Sequence, residues 1–102
     1  MAELIKVATV DEVPPGTAKV VKARGEEIAL FNVDGRFYAT TNICSHRGGP
    51  LGEGEMDGNI VTCPWHGWQY DVTTGINAIF PNVKIPTYQV VVDGPDIKIS
   101  LE

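Results

Sequence analysis

The chain has 102 residues, 43% of them hydrophobic and 21% charged, a composition that excludes a disordered segment and suits one modest core. Thirteen acidic against eight basic residues give a net charge of -5, which would repel nucleic acid and anionic lipid and sets both aside as partners. No apolar run approaches the ~20 residues that span a bilayer, so no membrane role is expected. The opening MAELIKVATVDEV lacks the basic-then-apolar order of a secretion signal. These features lead to one expectation: a single domain over residues 1–102, in the cytoplasm. Pairing its two cysteines as a disulfide would run against a reducing compartment.

In chain order, residues 4–8 and 18–23 favour strands. Between them Thr9-Val10-Asp11-Glu12 has the spacing of a capping box, and Pro14-Pro15-Gly16 stops any helix after about one turn. Three Asp-Gly pairs follow: Asp34-Gly35, Asp57-Gly58 and Asp93-Gly94. Each has β-favouring flanks, as expected of tight hairpin turns centred on the pair. The first would join strands 28–33 and 36–41, the second would lead into 59–62, and the third would join 88–92 to 97–101. The expected fold is all-β, with short antiparallel strands in a sandwich or partly closed barrel.

Both cysteines and both histidines fall in two short clusters. Cys44-x-His46 is followed by sixteen residues and then by Cys63-x-x-His66. Each cluster carries one thiolate and one imidazole donor among loop-favouring residues, with Gly48, Gly49 and Pro50 after the first and Pro64 and Gly67 around the second. The Asp57-Gly58 turn between them would fold the chain back and bring the arms together. Three readings are open. The side chains could be core filler, since cysteine is often buried. They could hold zinc as a Cys₂His₂ set, although finger spacing keeps the cysteines in one arm and the histidines in the other. Mixed arms suit two metals better, with both cysteines on one iron and both histidines on the other, the split of a Rieske centre.

The segments Cys44-Ser45-His46-Arg47-Gly48 and Cys63-Pro64-Trp65-His66-Gly67, continued by Trp68-Gln69-Tyr70-Asp71, resemble the Rieske family. More weakly, Pro81 and Pro86 are similar to the proline-containing loop that the family sets beside its cluster. The resemblance runs from about Phe37 to the chain end, with the cluster-binding part at about 42–75. It implies one [2Fe–2S] cluster held by two loops, Cys44, His46, Cys63 and His66 as its ligands, and imidazoles turned to solvent where electrons enter and leave. Respiratory Rieske proteins carry a disulfide between the loops and a serine near a bridging sulfide. Those positions correspond to Gly49, Trp65 and Trp68, so neither feature is kept, whereas Tyr70 retains a phenol that could reach a cysteine sulfur. Fewer hydrogen bonds to sulfur imply a potential toward the low end of the Rieske range, about −150 mV rather than +300 mV.

Trp65 and Trp68 could shield the cluster or meet a partner. The acidic run Glu53, Glu55 and Asp57 is either a solvated face or a guide for a basic partner, and Arg47 reads as a solvated or locally paired side chain. The resemblance implies a monomeric ferredoxin that docks transiently with a flavin-dependent reductase and a terminal ring-hydroxylating oxygenase. It implies no catalytic residue of its own, because an oxygenase iron needs two further histidines and a carboxylate. A small Rieske subunit of an assimilatory nitrite reductase is the alternative.

Overall fold

Ile28, Ala29, Leu30 and Phe31 stand in succession, an unbroken apolar run that suits a strand buried on both faces. The computed structural model describes residues 3–43, 49–65 and 67–101. It places this run at the centre of the molecule, in β3 (Glu26–Val33). Among the described residues ten strands form three antiparallel sheets, none closed into a barrel. Sheet one has the order β1 (Glu3–Thr9), β10 (Asp96–Leu101), β9 (Val90–Asp93). Sheet two runs β2 (Ala18–Ala23), β3, β4 (Arg36–Thr41), β8 (Thr87–Tyr88). Sheet three is β5 (Glu55–Asp57), β6 (Ile60–Thr62), β7 (Gln69–Asp71).

Side chains alternate across β3, so the run divides between two cores. Ile28 and Leu30 join Val21, Ala23, Ala39, Ile97 and Ile99, between sheets two and one. Ala29 and Phe31 join Leu51, Val61, Cys63, Tyr70, Val72 and Ile85, toward sheet three.

The expected all-β class is observed, with differences in its turns. Asp34-Gly35 is the two-residue turn of the β3–β4 hairpin, both φ values positive at +51° and +89°. At the other two pairs the aspartate closes a strand instead. Asp57 pairs with Ile60 and Asp93 with Asp96, so the turns are Gly58-Asn59 and Gly94-Pro95. Only the glycine has positive φ in each, at +61° and +60°, the pattern of a turn with glycine first. A further hairpin joins β2 to β3 through Arg24-Gly25, at φ +52° and +79°. Arginine is no turn signal, which hid this hairpin from a residue-by-residue reading. Strands β5 and β7, three residues each, are likewise too short to show periodicity. The expected strand 88–92 divides at Gln89: Tyr88 pairs with Ala39 in sheet two, and Val90 pairs with Ile99 in sheet one.

The Thr9–Glu12 segment forms a single 3-10 turn, with the Glu12 carboxylate accepting the Thr9 backbone N–H at 2.8 Å and the Lys19 ammonium at 2.8 Å. The bonded Lys19 ammonium, then the Thr9 N–H, hold the Glu12 pKa down from 4.5 to about 2. A depressed carboxylate stabilises the fold above its unfolded pKa and loses that contribution as pH falls through the folded one. Because the pair is exposed, its contribution is small and sensitive to salt. Wild type is therefore expected to exceed Glu12→Gln in urea stability at neutral pH, with the gap closing between about pH 4.5 and pH 2. An equal gap at both ends of that range would contradict this assignment.

Candidate metal centre

The first arm departs from and returns to one anchor, Asn42. Its backbone N–H donates to the Glu27 carbonyl on β3 at 3.1 Å, and its carbonyl accepts the Leu51 N–H at 2.8 Å. Asn42 Oδ1 accepts the Gly52 N–H at 2.7 Å, and Nδ2 donates to Glu27 Oε1 at 3.1 Å. Ile43 and Pro50 face each other across an isolated bridge just above. The two ends of the first arm, Asn42-Ile43 and Gly49-Pro50-Leu51, are therefore clipped together. Gly52 is required there, since a Cβ would stand 2.6 Å from Val20 Cγ2 and 3.0 Å from Asn42 Oδ1.

The second arm tops the β6–β7 hairpin, where Thr62 pairs with Gln69 and the Cys63 N–H donates to the Trp68 carbonyl at 2.7 Å. Cys63 lies two residues beyond Val61 and shares its inward face, so its side chain is buried beside Tyr70 and Leu51. Cys44, His46 and His66, the other expected ligands, lie outside the described residues, as does Arg47.

One contact nevertheless joins the arms. A Cβ built on Gly49 would stand 2.7 Å from Cys63 Sγ and 3.0 Å from Trp65 Cβ. The last residue of the first arm thus lies directly against the second. A disulfide holds its two Cβ atoms about 3.8 Å apart, so positions 49 and 65 are neighbours, as the resemblance to cross-linked relatives implies. Here packing of a glycine backbone on a tryptophan replaces the covalent tie. A soft sulfur donor at the meeting of two anchored arms, kept clear by a missing Cβ, fits a metal group held between them.

A third segment closes the same end. Ala78 N–H donates to the Gln69 carbonyl at 2.8 Å and Asn77 N–H to the Val83 carbonyl at 2.9 Å, placing this segment beside β7. The Pro86 carbonyl accepts the Thr41 N–H at 3.0 Å, tying the proline segment to the base of the first arm. Phe80 packs on Trp68 with ring centroids 5.4 Å apart and planes at 41°. The two tryptophans therefore divide their roles: Trp68 is half-buried against the core, whereas Trp65 is 51% exposed. Ile43 (57%), Ile79 (65%) and Phe80 (46%) are exposed on the same three segments. Glu53, Glu55 and Asp57 are all exposed on and beside β5, a solvated face whose carboxylates take no part in the ion pairs found among the described residues. Asn42 and Asn77 carry no motif, and the sequence signalled neither; Asn42 binds groups of Glu27 and Gly52 that only the fold brings to it, whereas Asn77 turns its oxygen onto the N–H groups of Ile79 and Phe80 just along the chain.

Gly49→Ala is expected to push a methyl group into Cys63 Sγ and to lower iron per chain by more than half, read by iron and acid-labile sulfide assay. Full iron content in that variant would mean the arms can part without consequence. Asn42→Ala should leave the buried Gly52 N–H without its acceptor and cost ~1–3 kcal/mol in urea unfolding.

The Rieske [2Fe-2S] domain family matches residues 3–89. The likeness thus includes β1 and β2, beyond the Phe37 boundary expected from the motifs, and stops at Gln89, where the chain crosses from sheet two into sheet one. The chain is 36% identical over 99 residues to the ferredoxin component of the naphthalene 1,2-dioxygenase/salicylate 5-hydroxylase systems of a Ralstonia species, covering 96% of this chain and 95% of that one. The ferredoxin of carbazole 1,9a-dioxygenase from Nocardioides aromaticivorans IC177 superposes with a TM-score of 0.89 at 30% identity, over 97% of this chain and 98% of that one. A ferredoxin solved in complex with reduced oxygenase in carbazole 1,9a-dioxygenase gives 0.87 at 31% identity, over 97% of each chain. A chain matched over nearly its whole length, with both arms meeting at Cys63, belongs to the Rieske [2Fe–2S] family and has one such cluster as its prosthetic group.

Proposed function

We propose that this chain is a single-domain, monomeric, cytoplasmic one-electron carrier, with Cys44 and Cys63 on one iron of its cluster and His46 and His66 on the other. The approach of Gly49 to Cys63 Sγ carries the reading, because it sets the two Cys/His arms against each other. The cluster supplies reversible uptake of one electron. The protein's part is to hold it, exclude water from its inner side and present its outer side to partners. No general acid, base or nucleophile is called for.

The donor is a flavin-dependent reductase and the acceptor a terminal ring-hydroxylating oxygenase. Relatives that are ferredoxin components of dioxygenase systems, one of them solved with its oxygenase, support this over an accessory subunit of nitrite reductase. Ile43, Trp65, Ile79 and Phe80 give the arm end an apolar rim that can leave water on docking. A carrier must release each partner in turn, and such encounters bury less than ~1,200 Å² in total. The charge of -5 favours a basic partner face.

Purified protein should contain about two irons and two acid-labile sulfides per chain, and His46→Ala or His66→Ala should abolish its visible cluster spectrum. Stoichiometric zinc without sulfide would defeat the ligand assignment. Stopped-flow reduction by a ferredoxin reductase should be rapid at low salt and slow as ionic strength screens the docking charges. A chain that takes electrons only inside a permanent complex would instead be an accessory subunit.

A further inference from the structure

Asn32, Asn42 and Asn77 are the buried asparagines among the described residues. The first two use both ends of their amides. Asn32 Nδ2 donates to the Val13 carbonyl and Oδ1 accepts the Gly35 N–H, each at 2.7 Å. Asn42 donates to Glu27 and accepts from Gly52. Asn77, 2% exposed, differs: Oδ1 accepts the backbone N–H groups of Ile79 at 2.8 Å and Phe80 at 2.9 Å, whereas Nδ2 has no partner among the described residues. The amide cannot be flipped to relieve this, because its nitrogen would then face two N–H donors. Native folds keep few buried donors unsatisfied, and each calls for an explanation.

The place of Asn77 supplies one. It pairs with Tyr70 across an isolated bridge, and Tyr70 pairs with Val61, so these three residues form one row on the inner face of sheet three. Cys63 and Trp68 form the next row toward the arms, two residues along β6 and β7. The backbone that Asn77 Oδ1 clamps is that of Ile79 and Phe80, and Phe80 is the ring that packs on Trp68. One side chain thus holds the aromatic pair beside the second arm and carries an unused donor on the row next to that of Cys63 and Trp68.

We propose that Asn77 is a positioning residue for the cluster: its oxygen fixes the Phe80–Trp68 pair, and its nitrogen donates a hydrogen bond to a sulfur atom that arrives only with the cluster. A donor to sulfur favours the reduced, more negative state and raises the potential. The inference rests on the cluster being held by the two arms, which iron and sulfide content report independently of Asn77.

Asn77→Thr separates the two functions, since a threonine hydroxyl can accept the same turn N–H groups, though more weakly, and has no amide nitrogen. Near-UV circular dichroism of the tryptophans is expected to stay as in wild type, whereas Asn77→Ala, which loses the clamp, should change it. In iron-replete Asn77→Thr, the ratio of reduced to oxidised protein at a fixed ambient potential should fall about tenfold, or ~59 mV for one electron. Pulsed EPR of reduced wild type labelled with 15N-asparagine should show a side-chain nitrogen coupling that is missing from labelled Asn77→Thr. Because the wild-type spectrum needs no variant to fold, it keeps the test decisive if Asn77→Thr takes up no cluster. A wild-type potential in iron-replete Asn77→Thr overturns the proposal. So does the absence of coupling in loaded wild type, the result expected if the nitrogen binds a buried water.

Discussion

The burial of β3 on both faces is the constraint on which the rest of the structure depends. Ile28 and Leu30 close one core while Ala29 and Phe31 close the other, so sheet two is the shared wall of both layers. The arms are referenced to that wall. Asn42 hangs the first from Glu27 on β3, and the β6–β7 hairpin that carries the second packs through Val61 and Tyr70 onto the core that Phe31 enters. Interiors pack close to crystal density and transmit small displacements. A change in β3 therefore alters the spacing of the arms without touching either of them.

Among the described residues, the arms meet by close approach at Gly49. Gly49 has no side chain, and Cys63 Sγ and Trp65 occupy the space a Cβ would need. The arrangement suits a carrier, whose inner side must exclude water while its outer side stays open. Trp68, braced by Phe80, packs toward the core, and Trp65, Ile43 and Ile79 stand out from it. Apolar area of this kind adds to an encounter without fixing it, because affinity depends on how well the contact is desolvated and ordered more than on its extent.

Buried amides do at this end what secondary structure does elsewhere. The segments around the arms are too irregular to satisfy their own backbones, so Asn42 and Asn77 take up N–H groups that no ladder reaches. Asn42 is placed by Glu27 on β3 and Asn77 by Tyr70 on β7, which makes the loops an extension of the sheets.

Several features were legible in the residues themselves: the all-β class, the Asp34-Gly35 hairpin, the 3-10 turn at Thr9–Glu12, and the paired Cys/His arms with their family. All are local, since a turn dipeptide, a capping spacing and a ligand spacing act over a few residues through covalent geometry and near-neighbour hydrogen bonds. Tertiary structure decided the rest. Whether Asp57 and Asp93 sit in turns or end strands depends on cross-strand register, which the partner strand sets. Gln89 divides one apolar run between two sheets because each half meets a different neighbour. The clearance at Gly49 arises only where segments far apart in the chain meet, and no local spacing encodes the distance between them; the clamp at Asn77 spans two and three residues, but the bridge to Tyr70 that buries it belongs to the tertiary structure.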